Sequence, residues 1–219
     1  MERIIKDHKD FWTDAQSLSA AFIACILLGI SLVANYYAGI YATLKASNSV
    51  TDIVLDNIPV YNVDGIFIYG PLVLWAFVTI LCLNRPKRIP FVLKSIALFV
   101  VIRSFFITLT HIAPATASLA FDYSSRMVHD FTFGGDLFFS AHTGLPFLMA
   151  LIFRKDMRLL VLFTLTAIFF GVIVLMGHLH YTIDVLSAFF ITYTIYHLAQ
   201  YFFKKDMEAF NEEIPSLQN

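Results

Sequence analysis

Leu175-Met176-Gly177-His178-Leu179-His180-Tyr181-Thr182-Ile183-Asp184-Val185-Leu186 is a polar turn set between two runs of hydrocarbon. Residues 158–177 before it and 182–203 after it are each long and apolar enough to cross the ~30 Å core of a bilayer. Runs of the same kind occupy 17–42, 65–83, 89–111 and 139–153, the last shortened by its polar start. The reading is therefore all-α, a polytopic membrane protein with six transmembrane helices. Residues 17–203 form the membrane domain. Residues 1–16 are an N-terminal interfacial helix or tail, and 204–219 a charged tail expected to fray.

Composition agrees. The 219 residues are 58% apolar and only 14% charged, against about 25% charge in soluble domains. Cys25 and Cys82 both lie inside apolar runs, so no disulfide is expected. Asn84-Arg85-Pro86-Lys87-Arg88 and Arg154-Lys155-Asp156-Met157-Arg158 end the second and fourth spans. At the N-terminus, Ile4, Ile5, His8, Phe11 and Trp12 share one face at helical spacing, the pattern of a helix lying in the head-group region. The first span has no small-residue cleavage site behind a short apolar core and is read as a retained helix. No repeat of fixed period is present, and nothing points to nucleic acid.

Basic residues separate by side. Arg3, Lys6, Lys9, Arg85, Lys87, Arg88, Lys94, Arg154, Lys155, Arg158, Lys204 and Lys205 fall on one side of a six-span arrangement; Lys45 and Arg126 fall on the other, with Arg103 inside a span. The positive-inside rule makes the first side, with both termini, cytoplasmic. Asp52, Asp56, Asp64, Asp122, Asp130 and Asp136 then lie on the outer side, periplasmic, lumenal or extracellular. His142 and His180 open their spans at this same face.

That shared level matters because Gly135-Asp136-Leu137-Phe138-Phe139-Ser140-Ala141-His142-Thr143 carries a second ionisable set. Ionisable groups beside hydrocarbon are costly and mark candidate functional sites. His180 and Asp184, spaced i, i+4, share a helix face, so the carboxylate can hold one ring N–H and leave the other nitrogen as a nucleophile. The plain alternative is a helix-start histidine satisfied by a local carboxylate. His142 is a candidate proton donor to a leaving alkoxide. Ser140 and the N–H groups of 140–143 open a helix, a place suited to phosphate oxygens. Arg103 either clamps a phosphate or snorkels outward, and Arg126 is a second basic candidate. Asp136 either supports the site or a head-group amine, or is a loop turn. His178 would face away from His180 on a regular helix and is a site candidate only if it lies in the turn. Two other function classes fit less well: a metal site built on His142, His178, His180 and Asp184, for which the ligands are sparse, and a non-catalytic lipid transporter or scramblase.

These residues resemble the sphingomyelin synthase branch of the type 2 phosphatidic acid phosphatase (PAP2) superfamily. Gly135-Asp136-x3-Ser140-Ala141-His142-Thr143 is similar to that branch's Gly-Asp-x3-Ser-Gly-His-Thr motif, and His178-x-His180-Tyr181-Thr182-Ile183-Asp184-Val185 to its second box. Arg103 through Pro114 resembles the end of its third span, and Leu55-Asp56-Asn57-Ile58-Pro59 the Asp-x-x-Pro segment of its first outer loop. The resemblance implies no metal and no cofactor. It implies transfer through a phosphohistidine on His180, with Asp184 as orienter and His142 as acid and then base. Beside these, the residues themselves offer Arg103, Ser140, Asp136 and His178 as candidates to bind substrate or phosphate. The implied partners are the bilayer, a phospholipid donor and a lipid alcohol acceptor, ceramide or diacylglycerol-like. Members of the branch move phosphocholine or phosphoethanolamine to ceramide and release diacylglycerol; relatives are lipid phosphatases or phospholipases C. The chain departs from the pattern at Ala141, where the branch has glycine. The wider superfamily's Lys-x6-Arg-Pro box is absent, and Ile173 and Val174 stand where its Ser-Arg would be. These absences favour head-group transfer over simple phosphatase action.

Overall fold

The polar breaks of the sequence become the turns of the bundle. A computed structural model describes residues 2–115 and 135–212, and among them every regular element is helical. The elements are α1 (Glu2–Thr13), α2 (Ala15–Lys45), α3 (Asp64–Leu83), α4 (Ile89–Leu109), α5 (Ala141–Ile152), α6 (Met157–Met176), α7 (Thr182–Phe202) and α8 (Lys204–Glu212), with short 3-10 turns at Leu55–Asn57 and Pro86–Arg88. Asp122, Arg126 and Asp130, assigned above to an outer loop, lie outside the described residues.

Five helices, α2, α3, α4 with its leading turn, α6 and α7, are long and apolar enough to span a membrane. The chain is a multi-pass membrane protein. α5 differs from the expectation of a span over 139–153. Its 12 residues rise only about 18 Å at ~1.5 Å per residue. Phe139 and Ser140 stay outside it, because the backbone of 135–140 is used for other contacts described below.

α4 is the central helix, with Phe91, Val92, Ser95, Phe99, Arg103 and Ile107 all buried. It packs along α2, whose buried face is a stripe of small residues: Ala21, Ala24, Ser31, Ala38, Gly39 and Ala42. Small side chains let two helix backbones approach where hydrophobic burial gives no drive. The opposite face of α2, with Phe22, Ile30, Val33 and Tyr37, is exposed and suited to lipid. α5, α6 and α7 pack together on the other flank. Gly144 permits this, since a Cβ there would lie 2.7 Å from the Phe99 ring and 2.9 Å from Thr192 Oγ1.

The helices alternate in direction, so two ends of the bundle are defined. At one end, Ser47 N–H donates to His111 O (2.8 Å), Tyr61 N–H to Met176 O (2.9 Å) and the Tyr181 hydroxyl to Ala113 O (2.8 Å). This end carries both histidine segments. At the other end, His8 Nε2 donates to Leu83 O (2.6 Å), Lys94 pairs with Asp206 (2.6 Å), and the Arg88 guanidinium sits over the rings of Phe153 and Phe210. Residues 204–212 therefore do not simply fray: α8 docks there because Phe210 is buried and Lys94–Asp206 is nearly so. Removing one partner of such a buried pair costs ~3–5 kcal/mol.

Candidate active site

The segment 135–140 is the hub of the site. It is clasped by three helices. Gly135 N–H donates to Thr43 Oγ1 of α2 (3.2 Å), and a Cβ at Gly135 would come within 2.6 Å of the Thr43 Cα, so only glycine fits. Arg103 of α4 donates through Nε to Phe139 O (3.2 Å) and through Nη2 to the Asp136 carbonyl and carboxylate. Its Nη1 reaches Asn35 Oδ1 at 3.5 Å. The guanidinium is buried, and most of its donors hold this segment. From α7, Asp184 O accepts the Ser140 N–H (3.1 Å). Phe139 takes a left-handed backbone, φ 34°, which costs on the order of 1–2 kcal/mol for a residue with a Cβ. The three clasps hold that strain. Ala141 is not among the left-handed residues, so an alanine fits the first turn of α5.

The segment in turn fixes His180. Its Nδ1 donates to Leu137 O at 2.9 Å, with Asp184 Oδ2 at 3.5 Å. A carbonyl only accepts, so this bond places the proton on Nδ1 and leaves the Nε2 lone pair free, a tautomer assigned from the bonding pattern. Asp184 is almost wholly buried, and its Oδ2 also accepts the Tyr181 N–H (2.9 Å), capping α7. A second carboxylate completes that cap from outside: Asp52 accepts the Thr182 N–H (2.7 Å) and hydroxyl (2.6 Å). Burial pulls the Asp52 carboxyl up, yet the bonds from Thr182, Leu55 and Val54 hold it below its ordinary value. This cap is present above the unfolded-state pKa and is lost as pH falls through the lowered folded one.

His142 stands on the first turn of α5, half-buried. Its ring stacks on Phe67 (4.0 Å between centroids) and meets the edge of Phe170 (6.2 Å). Its Nε2 lies 3.2 Å from Phe67 O. That carbonyl is available because Pro71, four residues on within α3, has no N–H to give it. His180 and Arg103 lie within electrostatic reach of the ring. Pro71→Ala is thus expected to return Phe67 O to its helix and loosen His142. The expected loss in kcat on a natural phospholipid is ~5-fold or more, the value of one neutral hydrogen bond, with a rise in thermal stability. An unchanged kcat would show that the carbonyl does not orient the histidine.

Ser140 is the N-cap residue of α5 by position, yet its Oγ caps nothing and is buried without a partner among the described residues. The N–H groups of 141–143 have no acceptor within their helix. The α7 start, by contrast, is filled by Asp52 and Asp184. Of these two helix starts, an anion therefore finds open donors at α5. His178, in the turn after α6, has φ 52° and a buried ring whose two nitrogens have no partner among the described residues.

The structure thus joins Arg103, Asp136, Ser140, His180 and Asp184 through one backbone segment, places His142 beside them, and sets His178 against the loop between α2 and α3. Sequence reasoning missed the Leu137 carbonyl, Asp52 and the Pro71–Phe67 pair. Only Pro71, a proline inside an apolar helix, left a readable signal.

Residues 134–201 match the family model described as PAP2 superfamily C-terminal, a stretch holding both histidine segments and α5 to α7. The match covers less than half of the chain and supports a likeness to the PAP2 superfamily over this stretch. No curated protein and no solved structure matches the chain.

Proposed function

We propose that the chain is a membrane lipid phosphotransferase of the sphingomyelin synthase or ceramide phosphoethanolamine synthase type. The observation that carries this reading is the fixing of His180 Nδ1 by Leu137 O and Asp184, which frees Nε2. A glycerophospholipid enters from the bilayer with its phosphate at the open N–H groups of α5 and the remaining Arg103 Nη1 hydrogen. The Nε2 lone pair attacks phosphorus. The bond from phosphorus to the diacylglycerol oxygen breaks, and the protonated His142 gives that oxygen its proton. The acceptor alcohol then enters. His142 takes the hydroxyl proton, the oxygen attacks the phosphohistidine, and the P–N electrons return to Nε2. Asp184 stabilises the positive charge that His180 carries during transfer. Asp136, held by Arg103, is a positioning residue.

The test is lipid mass spectrometry after the purified protein meets labelled phosphatidylcholine, phosphatidylethanolamine, ceramide and diacylglycerol. The head group should appear on the lipid alcohol, with diacylglycerol released. Free phospho-head group as sole product would make the protein a phospholipase C, and free phosphate a phosphatase. No covalent change would leave a lipid transporter.

We also propose that both termini are cytoplasmic and the site faces outward, following the basic residues at the α8 end of the bundle. In a variant lacking Cys25 and Cys82, Ile53→Cys should be labelled by an impermeant reagent added outside and Lys155→Cys should not. The reverse pattern would place the site in the cytoplasm.

A further inference from the structure

Beneath the loop that leads from α2 to α3 lies a cavity of about 300 Å3, the lower end of the range for small-ligand sites. Its walls include Leu55, Asp56, Ile58, Val60, His178 and Tyr181. Three observations mark it as a binding site. The His178 ring is 4% exposed with neither nitrogen bonded among the described residues, and a buried polar group left unpaired costs ~1–3 kcal/mol. His178 is brought there by a left-handed backbone, φ 52°, and strain of this kind gathers at functional sites. Asp56 adds a carboxylate with only one described partner, the Asp52 N–H at 3.0 Å.

The lining decides the chemistry. No Lys or Arg is among the described lining residues, so the cavity repels an anion and suits a cation. A quaternary ammonium has no N–H to donate and is held by cages of aromatic faces. Here Tyr181 is the sole aromatic among the described lining residues, and its hydroxyl is committed to Ala113 O and the Val50 N–H. A primary ammonium has three N–H donors. Asp56 and the unprotonated nitrogen of His178 would accept two of them, and the other His178 nitrogen would donate to an ester oxygen of the phosphate. His178 and His180 are two residues apart, so their Cα atoms are at most ~7 Å from each other. That is the scale of an aminoethyl phosphate laid from this cavity to the nucleophile.

We infer that the cavity between Asp56 and His178 is the head-group subsite and that it selects a primary amine, as in phosphoethanolamine, over a quaternary one. The inference rests on the proposed phosphotransfer for its meaning, but its test does not need turnover. Binding of glycerophosphoethanolamine and glycerophosphocholine to the protein in nanodiscs would be compared by titration calorimetry. The amine should bind ~10-fold tighter or more, the range set by charge-assisted hydrogen bonds. Asp56→Asn, which keeps an oxygen for the Asp52 N–H, and His178→Ala should each bring the two ligands to near parity. The donor preference in turnover, phosphatidylethanolamine over phosphatidylcholine, should fall by the same factor. Equal binding of both ligands by the wild type, or an undiminished preference in Asp56→Asn, would overturn the subsite. A preference without any phosphorylated histidine would instead overturn the parent mechanism and leave the subsite standing.

Discussion

On the proposed mechanism, His180→Ala should abolish turnover on every substrate, with kcat falling on the order of 10⁴-fold or more, because no other group among the described residues is placed to form the covalent intermediate. Asp184→Asn loses less, on the order of 10²-fold. In a triad where the carboxylate alone selects the histidine tautomer, the amide exchange is ruinous. Here Leu137 O accepts from Nδ1 at 2.9 Å, nearer than Asp184 Oδ2 at 3.5 Å. The tautomer survives the exchange, and the amide oxygen can still accept the Tyr181 N–H. What is lost is stabilisation of the charged ring during transfer. Steady-state kinetics of both variants on one phospholipid would check this. Equal collapse of the two would mean that the carboxylate, not the carbonyl, sets the tautomer. A near-normal rate in His180→Ala would mean that His180 is not the nucleophile.

His142→Ala separates proton transfer from covalent attack. A diacylglycerol alkoxide is a poor leaving group and needs a proton; a nitrophenolate leaves without one. The variant should therefore lose ~10²–10⁴-fold on a natural phospholipid, the usual contribution of general acid–base catalysis, and far less on a nitrophenyl phosphodiester. His180→Ala should lose both activities equally. Parallel rate measurements on the two substrates give the answer. Equal losses in His142→Ala would assign the ring a binding or structural role through its stack on Phe67, and pass the acid role to another group, His178 the first to test.

Much of the fold was legible because membrane helices declare themselves through run length alone. α5 is shorter than the apolar run over 139–153, and the reason lies in the backbone before it. Phe139 reads as hydrocarbon, but the backbone before α5 is needed elsewhere: Phe139 O and Asp136 O serve Arg103, and Leu137 O serves His180. Carbonyls carry no sequence signature, so the loss of residues 139 and 140 from the helix was not readable. Arg103 shows the complementary case. Its place in a span was readable, with a phosphate clamp and an outward snorkel as the two readings, yet its partners were not, since Asn35 and Phe139 are far from it in sequence. His180 and Asp184 were found because i, i+4 spacing is local geometry. Asp52 was not, because its bond to Thr182 crosses 130 residues. The docking of α8 through Phe210 was hidden by its charged surroundings.

The central claim is that phosphorus bonds to His180 Nε2 during turnover. Rapid acid-free quenching of the protein with donor phospholipid labelled in its phosphate, in the absence of acceptor, tests it most directly. The account predicts an acid-labile, base-stable phosphoenzyme that maps to His180, is absent from His180→Ala, and is discharged when the acceptor alcohol is added. No label on the protein at any time during active turnover, or label on another residue, would contradict it.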